Sequence, residues 1–304
     1  MRRTNTGSPV KLSKMMKFLT GAGICALALM AIHFDGGLIS SALADGMPHP
    51  METGLQEAAT PVAVDIHHFY NLLLWITSGV TLFVLALLVI VVLKFNRKAN
   101  PVPSKVSHNT LLEIAWTLVP VLILVVIAIP SFRLLFKELE LPNADLTVKA
   151  TGYQWYWHYE YPEASFGFDS NMIAEKDLKE GQLRLLSVDN PLVVPVGETV
   201  RVQVTGADVI HSWAMPSFGV KIDALPGRLN ETWFRADKAG TYYGQCSELC
   251  GNGHAFMPIE IRVVSKEDYA TWVAQAKKEF AENGAGRPQS VAGLATTGMA
   301  VQAQ

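Results

Sequence analysis

The sequence lacks both an excess of one charge and a phosphate-binding motif. Its 25 Lys and Arg residues nearly balance its 27 Asp and Glu residues, which gives a net charge of −2. Proteins that bind nucleic acid usually carry clustered basic residues, and here no glycine-rich loop follows a strand-like run to bind a phosphate. These absences argue against nucleic acid and nucleotides as partners.

Cysteine is also scarce, with three residues in a chain of 304. Cys25 lies in the N-terminal leader, so Cys246 and Cys250 are the only thiols expected in the mature chain. One pair of thiols four positions apart is a metal-site signal. In an oxidising compartment the same pair could form a disulfide.

The leader, residues 1–44, has the three-part pattern of a secretory signal. Basic residues without an acidic one precede a short apolar run, and Ser41-Ala42-Leu43-Ala44 follows. We predict a signal peptide that is cleaved after Ala44; an uncleaved anchor is the less favoured alternative, because the apolar run is short. Residues 45–70 are predicted to form a periplasmic segment, of which the polar residues 45–65 are expected to be irregular.

Two long apolar runs follow, at residues 71–93 and 114–136. Each is long enough to cross a bilayer as a helix. The connection, residues 94–113, carries four basic residues before its first acid, Glu113. Positive charge of this kind favours the cytoplasmic side, so we predict a transmembrane hairpin in the lipid bilayer with both chain ends outside.

From residue 146 to residue 265 the pattern changes to short β-rich runs separated by Gly, Pro, Asn and Asp. Such alternation predicts a compact β-sandwich or barrel. Ser265-Lys-Glu-Asp268 predicts the start of a helix over 266–282, and the small, polar residues 283–304 are expected to be disordered. The predicted strands are Leu146–Ala150, Leu183–Val188, Leu192–Val196, Thr199–Val204 and Ile259–Val264.

The segment Cys246-Ser-Glu-Leu-Cys250-Gly-Asn-Gly-His254-Ala-Phe-Met257 concentrates soft and borderline metal donors, and His211 supplies a second imidazole upstream. These donors favour copper. One mononuclear copper site would use a single thiolate, so two bridging thiolates suit two copper ions better. A zinc tetrahedron formed by both cysteines and both histidines is the second interpretation, with Met257 as a core residue, and a disulfide is the third.

Tyr243-Gly-Gln-Cys-Ser-Glu-Leu-Cys-Gly251, His254 and Met257-Pro258 resemble the dinuclear CuA loop of cytochrome c oxidase subunit II. The likeness extends from about Asn71 to Val264. It implies a membrane-anchored all-β protein, in which a two-helix transmembrane hairpin precedes a cupredoxin-like Greek-key barrel. It also implies that two copper ions are bound by His211, Cys246, the backbone carbonyl of Glu248, Cys250, His254 and Met257.

The resemblance further implies a role in a bacterial respiratory oxidase of the inner membrane. The chain would accept electrons from cytochrome c and pass them to haem in subunit I, where O2 is reduced to water with proton pumping. Subunit III is a further expected partner. Haem is expected only in the partner subunit, since nothing here resembles the His-rich transmembrane helices that bind it.

Individual roles are also implied by the resemblance. Trp155, in the aromatic run 152–161, would be the point where electrons arrive from cytochrome c. The Glu248 side chain would bind Mg²⁺ at the contact with subunit I, and Glu113, in Glu-x-x-Trp-Thr-x-x-Pro, would lie at the entrance of a proton channel in that subunit. Surface acids expected to steer cytochrome c are Glu160, Glu163 and Asp208, and Asp223 and Arg228 are expected to contact the membrane subunit.

The aromatic run and the whole chain leave alternatives open. Taken as one strand, the run places Trp155, Trp157, Tyr159 and Tyr161 on one face. A quinol oxidase subunit II would lack the copper ligands, and a nitrous oxide reductase-type domain would lack the membrane hairpin. From a different class, the alternative is a membrane-anchored copper-binding or copper-delivery protein.

Overall fold

The structure is a computed structural model that describes residues 46–282. The predicted signal peptide and the predicted C-terminal tail lie outside the described residues.

Two long helices come first: α1 spans Pro61–Lys94 and α2 spans Thr110–Leu139. The Thr60 hydroxyl accepts a hydrogen bond from the backbone N–H of Ala63, and the Asn109 side chain accepts one from Leu112, so each helix has an N-cap. The apolar central window of each helix is not buried by any other part of the described chain. At 1.5 Å per residue both helices exceed the roughly 30 Å hydrocarbon thickness of a bilayer.

The start of α1 corrects the prediction for residues 45–70. Residues 45–65 were expected to be irregular, but residues 61–65 already belong to the first turns of α1. The β domain stabilises these turns, because the Thr60 hydroxyl donates a hydrogen bond of 2.7 Å to the carbonyl of Phe218. Gly219 permits the close approach, since a Cβ there would lie 2.6 Å from Ile66 Cδ1.

The β domain contains ten strands in two five-stranded sheets. One sheet has the order β3-β2-β1-β5-β8 and the other β4-β10-β9-β6-β7. β1 pairs with β5, and β4 with β10, in parallel; the other pairs are antiparallel. The strands are β1 Leu146–Tyr153, β2 Tyr156–Tyr161, β3 Phe166–Ser170, β4 Leu192–Pro195, β5 Thr199–Gly206, β6 His211–Met215, β7 Val220–Ala224, β8 Asn230–Arg235, β9 Gly240–Cys246 and β10 Pro258–Val264.

The core lies between these two sheets. Along β5 every second residue, Val200, Val202 and Val204, is fully buried, as expected for a strand with one face in the core. Large aromatic side chains, including Trp157 and Trp213, fill the same core. The helical pair and the two-layer β domain confirm the predicted fold class.

Residues 183–188 were predicted to be a strand, and this prediction is wrong. Ser187 folds the segment into a local turn: its N–H donates to the carbonyl of Leu183 and its hydroxyl accepts from the Leu183 N–H. Leu185 has a φ of 66°. These local bonds replace a ladder, and only Val188 forms a bridge, with Met172.

The aromatic run 152–161 is a hairpin and not one strand. β1 ends at Tyr153 and β2 begins at Tyr156, and these two rings stack with centroids 5.0 Å apart. Trp157, Tyr159 and Tyr161 share the buried face as predicted. Trp155 does not share it, because Trp155 lies in the turn at the tip of the hairpin.

A third helix, α3, spans Lys266–Glu282 and closes one end of the sandwich. The Ser265 hydroxyl accepts a hydrogen bond from the Asp268 N–H, which caps the first turn. Trp272 packs against Tyr161 and Phe166 with ring centroids 5.3 and 5.7 Å apart. α3 therefore covers the end of the core formed by β2 and β3.

Candidate metal centre

The candidate centre lies where β9 ends, in the connection to β10. Cys246 is the last residue of β9, and its N–H donates to the carbonyl of Met257, just before β10. His211 is the first residue of β6, which pairs with β9 next to Cys246. Two adjacent strands and one short loop therefore position all the candidate donors.

The structure brings these donors together. The sulfur atoms of Cys246 and Cys250 are 3.8 Å apart. His211 Nδ1 lies 4.0 Å from the Cys246 sulfur, and the carbonyl oxygen of Glu248 lies 3.4 Å from the same atom. Around the Cys250 sulfur, His254 Nδ1 lies at 3.7 Å and the Met257 sulfur at 3.6 Å.

Among the three sequence interpretations, this geometry argues against a disulfide and favours copper over zinc. Both cysteines are free thiols, and their separation far exceeds the roughly 2.05 Å of a disulfide. Each imidazole adjoins a different sulfur, and the thioether joins the cluster, which a closed four-ligand zinc tetrahedron would not use. The donor set therefore fits copper, whose sites combine thiolate, imidazole and thioether ligands.

The two thiols of the cluster differ in acidity. Burial raises the pKa of Cys246, but hydrogen bonds with His211 and with nearby backbone groups outweigh burial and lower the pKa to about 6. Burial, together with the charge on Cys246, raises the pKa of Cys250 to about 12. Without a cation the pair therefore carries one thiolate and one neutral thiol, and both sulfurs can be thiolates only beside a positive ion.

Asp208 orients His211, a contact that sequence reasoning missed. Its carboxylate lies 2.8 Å from His211 Nε2. A proton on Nε2 leaves the Nδ1 lone pair directed at the Cys246 sulfur, as a metal-binding imidazole requires. The Asp208–x–x–His211 spacing was a possible signal, but the sequence placed Asp208 only among the surface acids expected to steer cytochrome c.

Trp155 packs directly on the loop that carries the donors. Its indole N–H donates a hydrogen bond of 3.2 Å to the carbonyl of Cys250, and the Gln154 side chain donates one of 3.0 Å to the same oxygen. Gly253 makes room for the ring, because a Cβ there would lie 2.3 Å from Trp155 Cγ. Trp155 covers the outer side of the donor loop and is itself 36% exposed.

Glu113 and the Glu248 side chain lie apart from this cluster. Glu113 is in the first turn of α2, at the end remote from the β domain. Glu248 contributes its carbonyl to the cluster, while the residue itself is exposed beside Leu249, which is 79% exposed. Of the surface acids, Glu160 forms an ion pair of 2.7 Å with Lys149.

The fold and the site define a class: a membrane-associated β-sandwich protein with a buried copper-type donor set. Two family descriptions match the chain, "Cytochrome C oxidase subunit II, transmembrane domain" over residues 48–134 and "Cytochrome C oxidase subunit II, periplasmic domain" over residues 146–264. The chain belongs to the cytochrome c oxidase subunit II family.

Two sequence relatives support the same assignment. The chain is 55% identical to the probable cytochrome c oxidase subunit 2 of Rickettsia bellii, over 81% of this chain and 92% of the relative. It is 47% identical to cytochrome c oxidase subunit 2 of Cereibacter sphaeroides, over 91% of this chain and 97% of the relative. The crystal structure of the periplasmic domain of the Bradyrhizobium japonicum subunit II is 64% identical and covers 46% of this chain and 99% of that one, with a TM-score of 0.44.

Several predictions about class are thereby confirmed. The chain is a membrane protein with two spans, and it belongs to an oxidoreductase complex of the haem–copper oxidase type. The family and the His/Cys cluster together indicate copper binding.

Proposed function

We propose that this chain accepts electrons from cytochrome c at a dinuclear CuA centre and passes them to haem in subunit I of the oxidase. The observation that carries the proposal is the convergence of two thiols, two imidazoles, a thioether and a carbonyl on one buried position. We assign Cys246 and Cys250 as bridging ligands. The other ligands are His211, His254, Met257 and the Glu248 carbonyl.

The protein supplies a rigid, dry environment for electron transfer. Bound copper would supply a one-electron carrier whose charge is shared between two metals. His211, Cys246, Cys250 and Met257 are buried. β6 and β9 hold the backbones of His211 and Cys246, and the Cys246 N–H bonds to the carbonyl of Met257. Ligands fixed in this way move little when the charge changes, which lowers the barrier to transfer.

Trp155 is the proposed point of arrival for electrons. Its indole N–H bonds to the carbonyl of Cys250, so one hydrogen bond links the partly exposed ring to a bridging ligand. A cytochrome docked on this side would contact the exposed part of the ring. Glu163 is an exposed acid that could steer such a donor.

The exposed tip of the loop is the proposed contact with subunit I. Glu248 directs an exposed carboxylate there, a suitable hard ligand for Mg²⁺, and the neighbouring Leu249 offers apolar surface. Asp223 and Arg228, both exposed on and after β7, are the further proposed contacts. Subunit III is expected in the same complex.

The proposed orientation places the β domain, together with both chain ends, in the periplasm of a bacterial inner membrane. The connection after α1 carries Lys94, Arg97, Lys98 and Lys105, which favours the cytoplasmic side. Glu113 would then lie at that side, where we propose that it admits protons to a channel in subunit I.

Copper loading tests the proposal. The purified chain, metallated with excess copper, should bind two copper ions and give a spin resonance pattern of one unpaired electron shared by two copper nuclei. Binding of a single ion, or of none, would contradict it. Cys250→Ser should leave at most one copper ion, because a bridge is removed.

The alternative of copper delivery receives no support from the site. Delivery requires ligands that a partner can reach, whereas four of these ligand residues are buried in the core. Copper that exchanged readily with an added copper-free chelating protein would favour delivery.

A further inference from the structure

A cavity of about 440 Å³ lies between α1 and α2, at the end of the hairpin next to the β domain. Its lining comes from the early turns of α1 and the late turns of α2. The electron and proton roles proposed above use none of these residues. The lining includes the polar side chains and leucines Asp65, His68, Leu72, Arg133, Leu134 and Lys137.

The charges in this cavity do not cancel. Lys137 is paired with Asp65 across the two helices. Arg133, one turn earlier on α2, has no ion-pair partner within residues 46–282. Two cations thus face one carboxylate, and the surplus is a guanidinium, which binds phosphate through two parallel hydrogen bonds.

The polarity of the lining follows the depth of the membrane. Asp65 and Lys137 lie nearest the β domain, whereas Leu72 and Pro130 lie nearer the centre of the helices. The predicted first span begins at residue 71, so the cavity straddles the expected membrane surface. Charged groups above and apolar groups below match the order of a lipid headgroup and its chains.

We propose that this cavity binds one membrane phospholipid, with its phosphate on Arg133 and the upper part of an acyl chain against Leu72 and Leu134. The volume lies within the roughly 300–1,000 Å³ of small-molecule sites, enough for a headgroup and part of one chain. A free phosphate would leave the apolar half uncovered. A hydrocarbon without phosphate would leave Arg133 without a counter-charge.

Lipid retention tests this site. The full chain is purified from the membrane with its accompanying subunits, and retained phospholipids are counted by native mass spectrometry. Arg133→Gln should retain one phospholipid fewer than wild type, and so should Arg133→Lys, because an ammonium group cannot form the two parallel hydrogen bonds. Lys94→Gln, a loss of positive charge at the other end of α1, should retain the wild-type number.

A second variant tests the apolar half. Leu72→Trp should fill the cavity and lose the same phospholipid while leaving Arg133 in place. Copper content, measured on the same samples, should stay at the wild-type level, which separates this site from the proposed electron function. An unchanged lipid count in both variants would overturn the proposal. Loss of a protein subunit while the lipid is retained would also overturn it. So would displacement of the lipid when inorganic phosphate is added to the wild-type sample.

Discussion

Asp208 connects two parts of the candidate centre at the scale of single residues. Its carboxylate contacts His211 Nε2 and also accepts a hydrogen bond of 2.8 Å from the Gln154 N–H. Burial raises the pKa of Asp208, but the hydrogen bond from His211 and two from the backbone outweigh burial and lower it. One charged group therefore fixes both a proposed ligand and the turn that carries Trp155.

Asp208→Asn should weaken copper binding. The amide can still accept from His211 but loses the charge that raises imidazole basicity, and changes to such partners cost about 10–100-fold in metal affinity. Chelator titration of the copper-loaded chain measures this loss. Asp177→Asn is the control, because Asp177 is an exposed acid outside the metal-binding loop. Equal copper loss in both variants would contradict the role of Asp208 in orienting His211.

Trp155→Phe should slow electron arrival from cytochrome c while leaving the copper spectrum intact. Phenylalanine keeps a ring over Gly253 but lacks the N–H that bonds to Cys250. We expect a decrease of at least about tenfold, which is a barrier increase of about 1.4 kcal/mol. Stopped-flow reduction by cytochrome c measures it, with Trp233→Phe on β8 as control. Wild-type transfer rates in Trp155→Phe would remove Trp155 from the path.

At the scale of elements, the start of α1 connects the helices to the β domain. Thr60 is buried, and its hydroxyl bonds to the Ala63 N–H within the helix and to the Phe218 carbonyl in the β domain. Thr60-Pro61 is itself a helix-start signal. The polar residues Asp65, His67 and His68 interrupt the apolar pattern after it, so the sequence did not predict the full length of the helix.

Thr60→Val should destabilise this junction. It removes an N-cap worth about 1 kcal/mol and leaves a buried carbonyl unpaired at a cost of about 1–3 kcal/mol. The unfolding temperature of the purified chain should fall by several degrees. Thr60→Ser keeps the hydroxyl and serves as the control; equal shifts in the two variants would assign the effect to packing and not to the hydrogen bonds.

The sequence predicted strands well where apolar alternation was clear, as in β5 and β10. It did not predict the turn at Gln154 and Trp155, because that dipeptide lacks the glycine or asparagine usual in hairpin turns. Tertiary contacts with Cys250 and Asp208 stabilise the turn instead. Likewise, the donor residues of the site were evident from their spacing, whereas the contact of Asp208 with His211 was not, because that partner is identified only in three dimensions.

On the scale of the whole molecule, the two proposed sites of transfer lie at opposite ends of α2. The copper-type site belongs to the β domain that follows the end of α2, and Glu113 lies in its first turn. Glu113 to Leu139 spans about 40 Å of helix at 1.5 Å per residue. At this distance a substitution at Glu113 changes no contact within the copper-type site. The electron and proton functions should therefore be separable by substitution.

Glu113→Gln should slow proton delivery during reduction of the oxygen site and spare reduction of the copper site. Glutamine keeps the size of the side chain, and Asn109 still caps the helix, so the fold should remain. The lost attraction between an acid and the helix N-terminus is worth at most about 1 kcal/mol.

Two measurements on the same purified oxidase separate these steps: the rate of copper-site reduction by cytochrome c, and the rate of proton uptake during turnover with O2. We expect only proton uptake to fall. Glu140→Gln, at the other end of α2, is the control for loss of a helix-terminal acid. Equal slowing of both steps in Glu113→Gln would mean that Glu113 acts on the whole assembly and not at the entrance of a proton channel.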